Sequence, residues 1–400
     1  MSSKDPLLSK KHRNKRKYST DDVETGEVGS YEDEDDGEYG TLFKIIPYLS
    51  TFLIGMGTLY FFTVFLPEYF IPESTDLVGI PHISELDVIL KPITSTRALD
   101  LKSGKNVDLD ENENDDDDDG DDDTPSKAVE RLILIGDIHG HYTQFRKLLS
   151  TINYNKKNDH LIVLGDFITK GSDSFKVLEY LIANEIDCIL GNHEYYVLQN
   201  YATFHRLEEP HFTGNRTQFS IKEDFNSDAD YLLAKKLEPH HVQYINQCSV
   251  IKKLGDVPVH KPKNNGSPYS APGIAVHAGI RWDLPLDEQD PIDNLEMRSL
   301  LGPYFNETTP DPEEEDAISW SKIYNLKQKE KDDNDEPTMV VYYGHDARRG
   351  LNLKQYTKGL DSGCDKGDQL SAILIWKEIH TSKKGKKHIL FKEEAVSVNC

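Results

Sequence analysis

Apolar and polar positions divide the chain into four stretches. Residues 1–41 are largely polar and charged, with too little apolar surface to offset the entropy of ordering, and read as a disordered tail. Between Lys44 and Glu68 lie 23 uncharged, mostly apolar residues, enough for a helix to span a hydrocarbon core. This predicts one transmembrane helix over 45–67. Residues 68–126 turn polar again and end in the acidic run Asp108 to Asp123, which repels itself and cannot pack; they read as a stalk. From Glu130 the periodicity changes. Short apolar, partly β-branched runs bounded by turn residues (131–135, 160–164, 187–190, 273–276, 339–343, 371–376 and 388–391) predict buried strands. Segments 142–149 and 174–183 carry helical spacing. Alternating strand and helix predicts an α/β sheet covered on its faces, over a folded domain at 127–400. The last two strands read as an antiparallel pair.

Charge sharpens these boundaries. The formal net charge is -24, but from Lys127 onward 34 Lys and Arg stand against 41 Asp and Glu, whereas the first 126 residues hold 12 against 29. The acid excess therefore sits mainly outside the folded domain and bears on solubility rather than on a pocket. Seven basic residues between Lys4 and Lys17 precede the apolar run; the positive-inside rule puts that end in the cytosol and the remainder in a lumen or outside, a type II single span. Sequons at Asn215, Asn265 and Asn306 fall on the non-cytosolic side and could carry glycans. The four cysteines, Cys188, Cys248, Cys364 and Cys400, form no short-range metal pattern. One bridge, Cys188–Cys248 or Cys248–Cys364, and four free thiols stand as equal expectations.

The strands run into turns of one kind. Gly136-Asp137-Ile138-His139-Gly140, Gly165-Asp166, Gly191-Asn192-His193-Glu194, His277-Ala278-Gly279 and Gly344-His345-Asp346 each stand directly after an apolar run. In α/β sheets the loops at the carboxyl ends of strands form the ligand crevice, so residues far apart in sequence converge there. Carboxylate and amide oxygens with imidazole nitrogens suit divalent ions such as zinc, manganese, iron or cobalt. Two such ions held close together would acidify a bridging water.

In this order the motifs resemble the calcineurin-like metallophosphoesterases, specifically their phosphoprotein-phosphatase branch, from about Glu130 to the C-terminus. The resemblance implies a β-sandwich covered by helices, a four-layer α/β/β/α fold. It implies Asp137, His139 and Asp166 as ligands of one metal, and a bridging Asp166, Asn192, His277 and His345 as ligands of a second. It implies His193 as the general acid that protonates the leaving oxygen, with Glu194 buttressing the loop. One departure stands out: protein Ser/Thr phosphatases have Asp-Arg-Gly where this chain has Thr169-Lys170-Gly171. The missing aspartate would have oriented the acid histidine, and Lys170 can offer phosphate only a point charge. Arg281 and Arg348 stand beside the histidine motifs as further phosphate contacts, with Arg349, Lys354 and Lys358 as additional cations. Trp320-Ser-Lys-Ile-Tyr324 and Gly359 to Gly367 resemble pocket-shaping loops of the same branch.

With its membrane anchor, the chain resembles the fungal vacuolar-membrane endopolyphosphatases. This implies hydrolysis of inorganic polyphosphate within the chain, two divalent metal ions, zinc foremost and cobalt or manganese next, and a catalytic domain in the vacuolar lumen. No nucleic-acid partner is expected. Three readings compete: a protein phosphatase, a diadenosine-tetraphosphatase-like hydrolase, which would need Trp282 or Trp320 to stack a base, and a non-catalytic adaptor, which would be expected to have lost a ligand.

Overall fold

The computed structural model describes residues 39–66, 71–104, 127–214, 228–259, 266–382 and 384–400. The expected tail (up to residue 38), the acidic end of the stalk, and the sequons at Asn215 and Asn265 fall outside the described residues. Asn306 is exposed.

The chain forms two separate units, residues 1–70 and 71–400. In the first, helix α1 (Tyr39–Tyr60) continues as a π-helical turn through Phe65. Its stretch Ile45–Phe65 is long and apolar enough to cross a membrane, and its large apolar side chains are exposed rather than packed in a core. That exposure is what a lipid-facing helix requires.

The elements of the second unit used below are, in chain order, β1 (Ile83–Glu85), β2 (Pro92–Thr94), β3 (Arg131–Ile135), α2 (Tyr142–Thr151), β4 (Asp159–Val163), α3 (Ser174–Ala183), β5 (Asp187–Cys188), α4 (Asn192–His205), α5 (Asp228–Ala234), α6 (Pro239–Gln247), β6 (Ile251–Pro258), β7 (Ser270–Val276), α7 (Pro291–Glu296), α8 (Trp320–Asp333), β8 (Val340–Tyr343), β9 (Asn352–Leu353), β10 (Thr357–Gly359), β11 (Gln369–Thr381) and β12 (Lys387–Asn399). They build two six-stranded mixed sheets. One runs β12-β11-β3-β4-β5 with β2 beside β11; the other runs β9-β10-β8-β7-β6-β1. One continuous apolar core draws on both, and helices cover them, as expected for the α/β metallophosphoesterase fold.

All five residues of β3 are buried, because an interior strand of a parallel set is covered on both faces. Its one charge, Arg131, is answered by a bidentate pair with Asp159, both bonds 2.7 Å. The helices follow their apolar stripes: Phe145, Leu148 and Leu149 of α2 and Val177, Leu178 and Leu181 of α3 face the core, each such side chain contributing about 1.5–3 kcal/mol. Between the sheets, Lys358 of β10 meets Glu393 of β12 at 2.5 Å with both side chains fully buried. Tyr342 donates to the same carboxylate.

Two expectations need correction, and one strand carries no readable pattern. The stalk does not extend over 68–126: β1 and β2 each join a sheet, and Ile80, Ile93, Ala98 and Leu101 enter the core. Strands of three residues are too short to reveal a period. Strand β6 interleaves charged Lys252, Lys253 and Asp256 with its apolar positions and carries a bulge between Lys253 and Gly255, which hides the alternation. The cysteines form two bridges, Cys188–Cys248 and Cys364–Cys400. The first was one of the expected pairings; Cys248–Cys364 does not form, and there are no free thiols. Closing loops of this size stabilises by about 4 kcal/mol each on the chain-entropy account. The antiparallel closing pair is present as β11 and β12, thirteen residues each.

Candidate functional site

Parallel strands of the two sheets deliver their carboxyl ends to one place. The loops after β3, β4 and β5 bring Asp137, His139, Asp166, Asn192 and His193; those after β7 and β8 bring His277 and His345. Asp137, His139, Asp166, Asn192, His277 and His345 are all buried. They adopt costly backbone to get there: His139, Asp166 and His345 have φ of 46°, 47° and 65°, the left-handed region that side chains avoid, at about 1–3 kcal/mol each. The flanking glycines are steric necessities at two points. A Cβ on Gly344 would collide with Asp137 Oδ1, and one on Gly191 with Asp166 Oδ1 and Glu194 Oε2.

Asp166 stands at the centre and divides the site. Its Oδ2 lies 3.5 Å from His139 Nε2, which is itself 4.0 Å from Asp137 Oδ2. Its Oδ1 lies 3.4 Å from His277 Nε2, which is 3.0 Å from Asn192 Oδ1, with His345 completing that side. Each imidazole commits one nitrogen to a backbone carbonyl: His139 Nδ1 to Ile168 at 3.3 Å, His277 Nδ1 to Leu164 at 2.7 Å, and His345 Nε2 to Glu296 at 3.0 Å. These bonds orient the rings and leave the opposite nitrogen turned into the site, where a metal could displace whatever partner it has.

The donor set fits cations on two grounds. His277 Nε2 faces two oxygen acceptors and must present a proton to them; burial opposes that charge, yet Asp166 wins and raises its pKa. His139 Nε2 instead accepts from the Lys170 ammonium at 2.8 Å. A positive partner thus stands at each nitrogen, and a divalent ion could replace it. His139 is held neutral, its pKa lowered to about 3 by burial, and burial likewise lowers that of His345. Burial, then Asp361 and Asp166, raise the Asp137 carboxyl.

Glu194 holds the two central loops together. Fully buried at the third position of α4, it accepts backbone N–H groups from Asp166 (2.7 Å), Phe167 (2.9 Å), Ile168 (3.1 Å) and Gly191 (3.0 Å). Burial and then Asp166 push its pKa up to about 7; cations on Asp166 would act the other way.

The cavity above this floor measures about 260 Å³. Asp137, Asp166, Asp361 and Asp365 supply acid; Lys170, Arg298, Arg348 and Lys366 supply base. Of the expected phosphate contacts, Lys170 and Arg348 line it, the latter paired with Glu313 at 2.6 Å. Arg281 does not: its guanidinium is turned onto Asp283. Arg349 is engaged by Asp346, Lys354 donates to Ser321, and Lys358 is buried on Glu393. Sequence reading missed Arg298, which stands in no motif. Asp361, Asp365 and Lys366 belong to the Gly359–Gly367 segment already singled out as pocket-shaping. Neither tryptophan reaches the cavity: Trp320 is buried against Tyr343, and Trp282 donates to Phe305 O under the Lys327 ammonium.

A second cluster, Glu179 with His240 and His241, is a hydrogen-bonded set. His241 Nδ1 accepts from the Glu238 N–H, so Nε2 carries the proton to Glu179 and has no lone pair for a metal.

Comparison with known proteins agrees with this geometry. The calcineurin-like phosphoesterase family profile matches residues 130–348. A zinc-dependent endopolyphosphatase of Saccharomyces cerevisiae is 30% identical over 292 residues, 67% of this chain and 80% of that protein. A symmetrical bis(5'-nucleosyl)-tetraphosphatase of Wigglesworthia glossinidia brevipalpis is 47% identical, but over 78 residues, 19% of this chain and 29% of that protein. A solved structure of a candidate diadenosine tetraphosphatase, 24% identical, covers 68% of this chain and 94% of its own with a TM-score of 0.47. With over half its length under the family profile, the chain belongs to the calcineurin-like phosphoesterases.

Proposed function

We propose that this protein hydrolyses phosphoanhydride bonds inside inorganic polyphosphate chains, using two divalent metal ions, zinc foremost. The observation that carries the reading is Asp166, whose two carboxylate oxygens address two separate sets of nitrogen and oxygen donors. Asp137, His139 and Asp166 would hold one ion; Asp166, Asn192, His277 and His345 would hold the other. Bound there, the ions would supply an activated water and neutralise charge on the phosphoryl oxygens. The chain's own residues do the rest. Lys170, Arg298, Arg348 and Lys366 ring the cavity and can seat successive phosphates of a polyanion. His193 faces the leaving oxygen as proton donor.

A polymer of phosphates is favoured over a nucleotide because, apart from histidines, no aromatic side chain lines the cavity among the described residues. The yeast relative's zinc-dependent endopolyphosphatase description supports the same choice. The α1 helix would anchor the protein as a type II span, with the catalytic unit in an oxidising lumen such as the vacuole. Four cysteines all paired support that compartment.

The test is to strip the detergent-purified protein of metal, reload it with zinc, cobalt or manganese singly, and supply long-chain polyphosphate, diadenosine tetraphosphate and phosphopeptides. A gel ladder of shortened chains is expected. Release of terminal orthophosphate alone, or turnover of only the other two substrates, refutes the proposal.

A further inference from the structure

His193 rests on a carboxylate that no motif contains. Its Nδ1 lies 3.3 Å from Asp230 Oδ1, and Asp230, on α5, is fully buried. At position 169, where protein phosphatases place the orienting aspartate, Thr169 offers only a hydroxyl, buried and without a hydrogen-bond partner among the described residues. We propose that Asp230 is the positioning residue of this site: it holds the His193 ring so that Nε2 faces the substrate, and so takes over the role of the carboxylate absent from the Thr169-Lys170-Gly171 turn. The inference rests on His193 acting as the proton donor.

The placement is built. Helix α5 is pinned to α4, the helix that carries His193, by the Lys235 ammonium lying 4.4 Å from the Tyr231 ring and 5.2 Å from Phe204, with those two rings 6.4 Å apart. The imidazole is also wedged edge-on between His139 at 5.3 Å and Tyr196 at 5.9 Å. With Nδ1–H donated to Asp230, Nε2 is the nitrogen left for the cavity that the ring lines. In the hydrolytic step a bond forms between water oxygen and phosphorus, the attacking water gives up one proton to solvent, and the P–O bond to the leaving chain breaks. The proton on Nε2 passes to the leaving oxygen, and the ring ends neutral with Nδ1–H still on Asp230. Fixing ring and tautomer through the far nitrogen is the general device for an acting histidine.

A double-mutant cycle on the full-length zinc-loaded protein tests this with polyphosphate as substrate. Asp230→Asn should lower kcat by about ten- to a hundredfold, as expected of a supporting partner and less than the loss of the acid–base group itself, with KM, zinc stoichiometry and zinc affinity within about threefold of the parent. In a His193→Ala background the same change should cost nothing further, since Asp230 acts only through the ring. On ¹⁵N-histidine-labelled protein, Asp230→Asn should shift the His193 nitrogen resonances away from the Nδ1–H tautomer. If the substitution lowers the melting temperature, Asp230→Glu carries the comparison and should restore most of kcat. An unchanged kcat in Asp230→Asn, an equal loss in both backgrounds, or failure of Asp230→Glu to recover overturns the role of Asp230. Full activity in His193→Ala instead overturns the proton-donor reading itself.

Discussion

Glu194→Gln tests how the site is held. The parent carboxylate accepts four buried backbone N–H groups, Phe167 and Ile168 on Oε1, Asp166 and Gly191 on Oε2. Glutamine preserves shape but replaces one oxygen with an NH₂ that faces two donors. Whichever way the amide turns, two buried N–H groups lose their acceptor, at about 1–3 kcal/mol each, or about 2–6 kcal/mol together. That is a large fraction of the 5–15 kcal/mol typical of a domain. The cost has two places to appear. If the loops keep their path, the folded state carries it and the metal-free melting temperature falls by at least a few degrees. If the loops relax, Asp166 and Asn192 lose their positions and zinc affinity drops by between about one and a half and four decades. The assay is zinc titration against a competing chelator, paired with melting in excess chelator. A variant that melts within about 1 °C of the parent and binds zinc within about threefold would refute the reasoning, since neither place would have taken the cost.

The same geometry gives three further outcomes. Gly344→Ala should abolish binding at the first metal position while leaving the fold intact, because the new Cβ collides with Asp137 Oδ1; zinc stoichiometry read by elemental analysis would be unchanged if this is wrong. Burial lifts the Asp293 carboxyl from its ordinary 3.8 to about 6, so the folded chain keeps a proton that the unfolded chain releases, and stability falls as pH rises between those values and is flat outside them. Asp293→Asn cannot titrate and should gain about 2–3 kcal/mol on the parent between about pH 4 and pH 7 in denaturant titrations of chelated protein; a constant difference across that range contradicts the assignment. At the sheet interface, Glu393→Gln should destabilise by about 3–5 kcal/mol through an uncompensated Lys358 ammonium, whereas Lys358→Met with Glu393→Leu should recover much of it; equal losses in the two denaturation curves would show that the charge is not the cause.

Legibility in the sequence tracked physical range. The buried strands β3, β4, β7 and β8 were readable because a strand covered on both faces must be apolar throughout, and helices α2 and α3 because a single face meets the core. The candidate ligands were readable because each occupies the turn directly after such a strand, where backbone geometry is set within a few residues. The amphipathic and short strands were harder. In β6 a bulge and two adjacent lysines, Lys252 buried and Lys253 exposed, break the alternation, and β1 and β2 are three residues long, so only their sheet partners define them.

What the sequence determined by itself is the local part: one apolar helix, an α/β unit, and the set of oxygen and nitrogen donors from Asp137 to His345. These depend on neighbours in the chain. The tertiary structure decided everything that depends on neighbours in space. It split Asp166 between two donor sets, paired Cys364 with Cys400, and turned Arg281 away onto Asp283 while bringing Arg298 to the cavity. It also set Asp230 against His193 across 37 residues. A side chain's partner at such separation is selected by the packing of whole elements, here α5 upon α4, and no local pattern of residues encodes it.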